Sequence, residues 1–281
     1  MVPADAASPV TQWGRLILMQ LLGAHVLVTG ASRGIGAAIA SLACARGATV
    51  TLVARSADVL TERAAALDGH ALPCDLTDPD ARAGLVDRAQ EQAGRAVDVL
   101  VNCAGMDASG GLLEVTREQV RRLFEVNLLA PVDLVNQALP AMVARGSGHL
   151  VTVSSGFSTV VGPGLVPYAS SKAGLSHFHA GVRSELIGTG VATTLVEPGP
   201  VNTGMYDDIE RHRLANAVLK RFLALRLTRL VEPAEVAMAV LDGVEAGRQH
   251  VVPPRRMIPV LAFDWLPRRV ADLVLTGVPR R

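Results

Sequence analysis

The stretch Tyr168-Ala169-Ser170-Ser171-Lys172 sets a phenol and a primary amine four residues apart, with Ser155 thirteen residues upstream of the tyrosine. On a helix, positions four apart share a face, about a turn from each other. A free phenol ionises near pH ~10, and bringing it towards neutrality takes roughly 4 kcal/mol at about 1.4 kcal/mol per pKa unit. A unit charge at ~4 Å with an effective dielectric of ~20 supplies about that much. The spacing therefore predicts that Lys172 depresses the pKa of Tyr168 and makes it an acid and base near neutral pH. The same spacing also fits a lysine that simply reaches along a helix into solvent. Composition bears on the choice: the chain has 25 arginines and two lysines, Lys172 and Lys220. Arginine cannot give up its charge and its fork is bulky, whereas an ammonium is a compact point charge. A lysine kept in such a chain points to a position that needs one.

The elements that must position these groups read as alternating strands and helices. HVLVT, residues 25–29, is a short apolar run bounded by glycine and predicts a buried strand. TGASRGIG follows, then an alanine-rich helix to about Arg46. Glycines between a strand and a helix let the backbone approach a pyrophosphate, and the helix N-terminus presents free N–H groups to it. Gly30, Ser32, Arg33, Gly34, Ile35 and Gly36 are the candidates here. The second strand, 48–54, runs into Arg55-Ser56, where dinucleotide folds carry an acid for the ribose 2′-hydroxyl. Arg55, with Arg33 as a second cation, would instead meet a 2′-phosphate. The alternative is that both arginines are solvated surface charges.

A third strand is expected to end in Cys74-Asp75-Leu76, followed by one helix from about Asp78 to Ala93 and a fourth strand over 97–101. Asn102, Cys103, Ala104 and Gly105 close that strand with small residues. A long helix over 116–145 carries Asn127 in its apolar middle, with Pro131 as its kink. A buried asparagine must find partners, so Asn127 is either structural or part of a proton path. The fifth strand, 149–155, ends on serines; helix 167–187 carries the Tyr/Lys pair; 191–196 is the sixth strand; 249–252 is the last. Between them Pro198-Gly199-Pro200-Val201-Asn202-Thr203 forms a rigid turn, followed by a basic, helix-prone insertion over 204–230. This alternation predicts an α/β fold: one Rossmann-type, doubly wound domain with a mostly parallel seven-stranded sheet and helices on both faces. Ligands bind at the carboxyl ends of such strands, where the glycine turn, NCAG, the serines and PGPVNT all fall.

Bulk properties agree. At 281 residues, 49% hydrophobic and 19% charged, the chain can build one large core, and its net charge of +1 gives no pull towards nucleic acid. Cys44, Cys74 and Cys103 lack ligand spacing and read as reduced core thiols in a cytoplasmic protein, with no metal expected. No apolar run reaches the length of a membrane span. Residues 1–23 read as an N-terminal extension; Leu16–Leu22 has a faint likeness to a signal-peptide core but runs straight into a strand the fold needs.

Taken together, TGASRGIG, NCAG, Asn127, Ser155, YASSK and PGPVNT stand in the order and spacing of the short-chain dehydrogenases/reductases, which this chain resembles over residues 24–253. The resemblance implies a catalytic tetrad. Tyr168 is its acid/base, Lys172 lowers the tyrosine pKa and holds the nicotinamide ribose, Ser155 polarises the substrate carbonyl, and Asn127 anchors a water relay. It also implies that Pro198, Gly199, Val201 and Thr203 hold the nicotinamide end, and that Asp75 and Leu76 hold the adenine. Asn102, Ala104 and Gly105 would close over the cofactor. Cys103 departs from the asparagine or alanine that the family often has. The missing acid after the second strand is the family's mark of NADP(H) preference. A homodimer or homotetramer is implied as well.

Phe157, Val161, Met205 and Tyr206 are the expected substrate contacts. With Val160, Leu165, Val166 and apolar residues of the insertion they would wall a pocket for a bulky lipophilic ketone or alcohol under a mobile lid. A second reading is a 3-oxoacyl reductase whose substrate rides on acyl carrier protein or coenzyme A, met by the basic insertion. A third is a non-catalytic NADP-binding regulator or scaffold, which the intact Ser/Tyr/Lys set opposes. Residues 254–281 form a basic tail holding six arginines against Asp264 and Asp272, with Phe263 and Trp265 in an apolar stretch. That pattern fits an interfacial helix on an anionic membrane, and equally a stripe packed on the domain or a partner subunit.

Overall fold

The computed structural model describes residues 18–108 and 110–261. Seven strands form one parallel sheet: β1 (His25–Thr29), β2 (Thr49–Ala54), β3 (His70–Pro73), β4 (Val99–Asn102), β5 (Gly148–Val153), β6 (Val191–Val196) and β7 (His250–Val251). Their spatial order is β3-β2-β1-β4-β5-β6-β7. The order reverses between β1 and β4, so the carboxyl ends of these two strands flank the crevice where such sheets bind ligands. β1, β4 and β5 are buried throughout, which is why they read as continuous apolar runs and not as alternating ones.

Helices cover both faces. On one lie α1 (Gly34–Ala45) and α2 (Ala57–Ala66), with Ile39, Ala40 and Leu60 packed against Val26, Val28, Val50 and Val151. On the other lie α3 (Pro79–Arg82), α4 (Leu85–Ala93), α5 (Arg117–Phe124) and α6 (Ala130–Ala144); Leu85, Leu134 and Met142 pack there on Leu27, Leu100 and Leu150. The chain continues through α7 (Val166–Glu185), α8 (Gly204–Arg211), α9 (Arg213–Ala224), α10 (Pro233–Glu245) and α11 (Ile258–Leu261). α10 returns to the α1 face, where Val236, Val240 and Leu241 join the same core. Leu21, within the expected N-terminal extension, is fully buried in it too.

The structure corrects three sequence expectations. β3 stops at Pro73, before Cys74-Asp75-Leu76, because its partner β2 ends at Ala54, opposite Pro73, and leaves no ladder to extend. The single helix expected from Asp78 to Ala93 is two, because Gly84 takes a left-handed conformation (φ 63°) between α3 and α4. The long helix over 116–145 opens into a π-turn, Glu125–Leu129, one step ahead of the expected kink at Pro131. Proline has no N–H to give the carbonyl four residues back, which is that of Asn127, and the chain widens there. The stretch Arg117–Ala144 is long and apolar enough to cross a membrane by composition, yet it packs Leu123, Leu134, Val135 and Met142 into the domain.

One buried cation ties this region together. Arg82 is 3% exposed; its Nε donates to Asp133 (2.7 Å), its Nη1 to the Leu76 carbonyl (2.7 Å), and its Nη2 pairs with Glu125 (2.6 Å). The guanidinium thus clamps the loop after β3 to the π-turn that carries Asn127. Thr116 starts α5 with a capping box, exchanging bonds with Gln119.

Candidate active site

The glycine turn after β1 is built for close approach. Gly30 has φ 69°, and a Cβ there would stand 2.8 Å from Ala104 Cα; one on Gly36 would stand 2.4 Å from the Gly30 carbonyl oxygen. Thr29 clips the opposite wall in place: its Oγ1 accepts from the amides of Cys103 and Ala104, each at 3.0 Å. The result is a cradle of bare backbone at the N-terminus of α1, which suits a pyrophosphate. It opens into a cavity of about 640 Å³ that runs from Arg55 and Asp75 at one end to Met257 at the other.

Of the residues expected to hold a dinucleotide, Gly30, Ser32, Arg33, Gly34, Ile35, Gly36, Arg55, Asp75, Leu76, Ala104, Gly105, Tyr168, Lys172, Pro198, Gly199, Val201 and Thr203 all line this one cavity. Asn102 does not: it is buried behind the wall, and its Oδ1 has no partner. Arg33 and Arg55 both line this cavity. A Cβ on Gly204 would lie 3.0 Å from Arg33 Nη1, so that guanidinium lies over the start of α8, whereas the charge of Arg55 acts on Asp75 and helps hold its carboxyl below the usual range, after the Thr77 amide bond.

The four catalytic candidates converge. Ser155 stands just past β5 and caps the short turn Gly156–Ser158, its Oγ accepting from the Phe157 amide at 3.1 Å. The Ser155 side chain interacts with the Tyr168 phenol and favours its ionised form. Asn127 is fully buried; its Oδ1 accepts from the Met106 amide (2.9 Å), and its Nδ2 donates to the Met106 carbonyl and to Ser171 Oγ, each at 3.0 Å. Ser171 in turn donates to the Tyr168 carbonyl (2.8 Å). Asn127 thereby joins the loop after β4 to α7 beneath the tyrosine. Lys172 Nζ donates to the Val153 carbonyl at 3.0 Å, close to Gly105.

The electrostatics correct the simple Tyr/Lys argument. Burial pushes the Tyr168 phenol up to about 12, with the Ser155 hydrogen bond opposing and the Asp107 carboxylate adding to the rise. Lys172 is itself brought down to about 8 by burial, and its ammonium is engaged with the end of β5. Helical spacing places the amine a turn away, but the largest influence on the phenol is its desolvation. Cys103, beside Lys172 and partly exposed to the cavity, is pushed up to about 12, chiefly by burial, which keeps it a thiol.

The substrate side is largely apolar. Phe157, Met205 and Tyr206 line the cavity as expected, joined by Val160, Ile209 and Phe222. Val161 does not: it is 44% exposed and points away, because the chain turns there and Val160 takes the inward place. Leu165, packed against Ile209 of α8 and Leu219 of α9, and Leu214, on α9 itself, are buried outside the cavity lining. Thr228 and Met257 close the far wall and had no signal in the sequence. Met257 occupies the space that side chains on Gly156 and Gly199 would need, and its Sδ accepts from Thr228 Oγ1 at 3.1 Å. The beginning of the basic tail is thus a wall of the site; residues 262–281 lie outside the described residues.

A family model described as short chain dehydrogenase matches residues 24–214. The chain belongs to that family. Among characterised relatives of this short-chain dehydrogenase, the ketoacyl reductase HetN of Nostoc sp. is 34% identical over 245 residues, covering 83% of this chain and 79% of that protein. The short-chain dehydrogenase of Sphingobium yanoikuyae, solved in complex with NADPH, superposes with a TM-score of 0.72 at 29% identity, over 92% of this chain and 97% of that one. A short-chain dehydrogenase/reductase of Burkholderia phymatum, in complex with NAD, shares the fold at a TM-score of 0.77 and 22% identity, over 92% and 97%. The protein is therefore an oxidoreductase of the alcohol/carbonyl class that uses a nicotinamide cofactor.

Proposed function

We propose that the protein transfers hydride between NADP(H) and a carbonyl or secondary alcohol on a bulky, lipophilic molecule. The observation that carries this reading is the division of the cavity. One end has bare backbone and Arg55 where an NAD-selective site would have a carboxylate, and the other is walled by Phe157, Val160, Met205 and Phe222 under α8 and α9. Arg55 at the end of β2 suits a 2′-phosphate. The NADPH-bound relative supports that choice more than the NAD-bound one, which is alike in fold alone.

A bound nicotinamide would supply or accept the hydride. The Gly30–Gly36 turn would hold its pyrophosphate, Lys172 its ribose, and the Pro198–Thr203 turn its amide end. In the reducing direction Ser155 donates a hydrogen bond to the substrate carbonyl oxygen and Tyr168 gives that oxygen its proton. In oxidation the phenolate form of Tyr168 takes the proton from the alcohol and returns to the phenol. Asn127, bonded through Ser171 to the backbone beneath Tyr168, keeps the ring in register. NADP preference tilts the physiological direction towards reduction, in the cytoplasm.

A 3-oxoacyl substrate on acyl carrier protein or coenzyme A is the second reading, favoured by the likeness to a ketoacyl reductase and by the basic lid. Oxidation of NADPH should be followed at its near-ultraviolet absorbance with lipophilic ketones, and then with 3-oxoacyl substrates on carrier protein or coenzyme A. Turnover of free ketones supports the first reading; turnover only of carrier-linked substrates replaces it with the second. No turnover of either leaves a cofactor-binding scaffold.

A further inference from the structure

Behind the catalytic serine lies a buried carboxylate that the mechanism above does not use. Glu197 is 5% exposed, at the end of β6, and does not line the cavity. Its Oε1 accepts from Ser158 Oγ and from Ser176 Oγ (3.1 Å), and its Oε2 from His250 Nε2 (2.8 Å). Ser176 Oγ also lies 2.7 Å from Ser154 Oγ, which donates to the Lys172 carbonyl at 3.1 Å. The Glu197 amide donates to Val251 (2.9 Å), and the next carbonyl, that of Pro198, accepts from the Gly156 amide (2.9 Å). One carboxylate therefore gathers both flanks of Ser155, the peptide of Lys172, and the turn expected to hold the nicotinamide. Burial by itself disfavours its charge, but the bonds from His250, Ser158 and Ser176 outweigh this and hold its carboxyl below the usual range. α7 adds two titratable groups near this pair, Arg183 and the buried, uncharged His179.

We propose that Glu197 is a positioning residue for the reaction, fixing Ser154–Ser158, and with it the Ser155 hydroxyl, through Ser158, Ser176 and the imidazole of His250. A buried ion is costly to keep, and an apolar residue of similar size would fill the same space more cheaply. What Glu197 adds is a fixed acceptor that holds Ser158 directly and Ser154 through Ser176, and is itself held by His250. A displacement of about 1 Å at such a site can cost on the order of 100-fold in rate.

The inference rests on the oxidoreductase reading for its kinetic arm and is independent of it in the other. Backbone hydrogen exchange, read by mass spectrometry, should rise about tenfold or more over 154–159 in Glu197→Ala and Glu197→Gln, while peptides of β1 and β4 stay protected. Glu197→Gln keeps the volume and one acceptor, and serves if the alanine variant does not fold. In the kinetic arm Glu197→Gln should lower kcat by about 10- to 100-fold. On a Ser155→Ala background the same change should cost at most about twofold, because the hydroxyl it positions is gone. Unchanged exchange over 154–159 overturns the proposal, as does an equal loss with and without Ser155. If the wild type turns over no carbonyl substrate, the oxidoreductase reading fails while the exchange result still decides this one.

Discussion

Arg82→Met tests whether the clamp between the third strand and the π-turn organises the site. The guanidinium is 3% exposed and makes three charge-assisted contacts, to Asp133, Glu125 and the Leu76 carbonyl. Breaking a fully buried ion pair costs about 3–5 kcal/mol, largely through the charge left behind. Here the partners are 23% exposed (Glu125) and 43% exposed (Asp133), so water can reclaim both carboxylates, while the carbonyl of nearly buried Leu76 loses its donor. Discounting for that screening leaves roughly 2–3 kcal/mol. For a chain of this size about 1 kcal/mol moves Tm by roughly 2–4 °C, so a fall of about 5–10 °C is expected. Urea unfolding followed by circular dichroism measures the energy, and a thermal scan checks it. Because Leu76 lines the cavity at the end expected to take the adenine and Glu125 opens the turn with Asn127, kcat/KM for NADPH should fall as well. Arg82→Lys, with one ammonium for three partners, should lie between. A loss under about 1 kcal/mol would show that the clamp is dispensable and refute the argument.

Tyr168→Phe should lower turnover by about 100- to 10,000-fold or more while NADPH binding, read by fluorescence, stays nearly intact; a tenth of the activity remaining would remove Tyr168 from the acid/base role. Arg55→Asp should shift the ratio of kcat/KM for NADPH and NADH towards NADH, and an unchanged ratio would move the specificity elsewhere. His149 and His179 are each brought down to about 4, chiefly by burial. The unfolded chain takes up protons at these positions from about pH 6.5 downward, so stability is lost as pH falls through that window, by about 2 kcal/mol per histidine at pH 5. Urea midpoints that stay flat between pH 7 and 5 would contradict this. Full-length protein should sediment with anionic liposomes at low salt, and less at high salt, if the tail meets a membrane. The comparison chain should end at Leu261, because a cut at Pro254 would remove Met257 from the cavity wall. Protein left in the supernatant at low salt makes the tail structural.

The sequence by itself determined the architecture and the chemistry. Apolar runs such as HVLVT and HLVTV become fully buried parallel strands because both sheet faces are covered, and this one-dimensional signal survives without knowledge of neighbours. Glycines at 30 and 36 and the Tyr/Lys spacing are likewise local requirements, readable from residue type and separation. Tertiary structure alone decided the rest. The ionisation of Tyr168 depends on how much water the fold removes, which no spacing encodes, and burial reverses the shift that the lysine was expected to cause. Val160 and not Val161 faces the cavity because an irregular turn, without helical or strand period, sets which side chain points inward. Met257 reaches Gly156 and Gly199, and His250 reaches Glu197, across long sequence separations that only the closing of the sheet brings into contact.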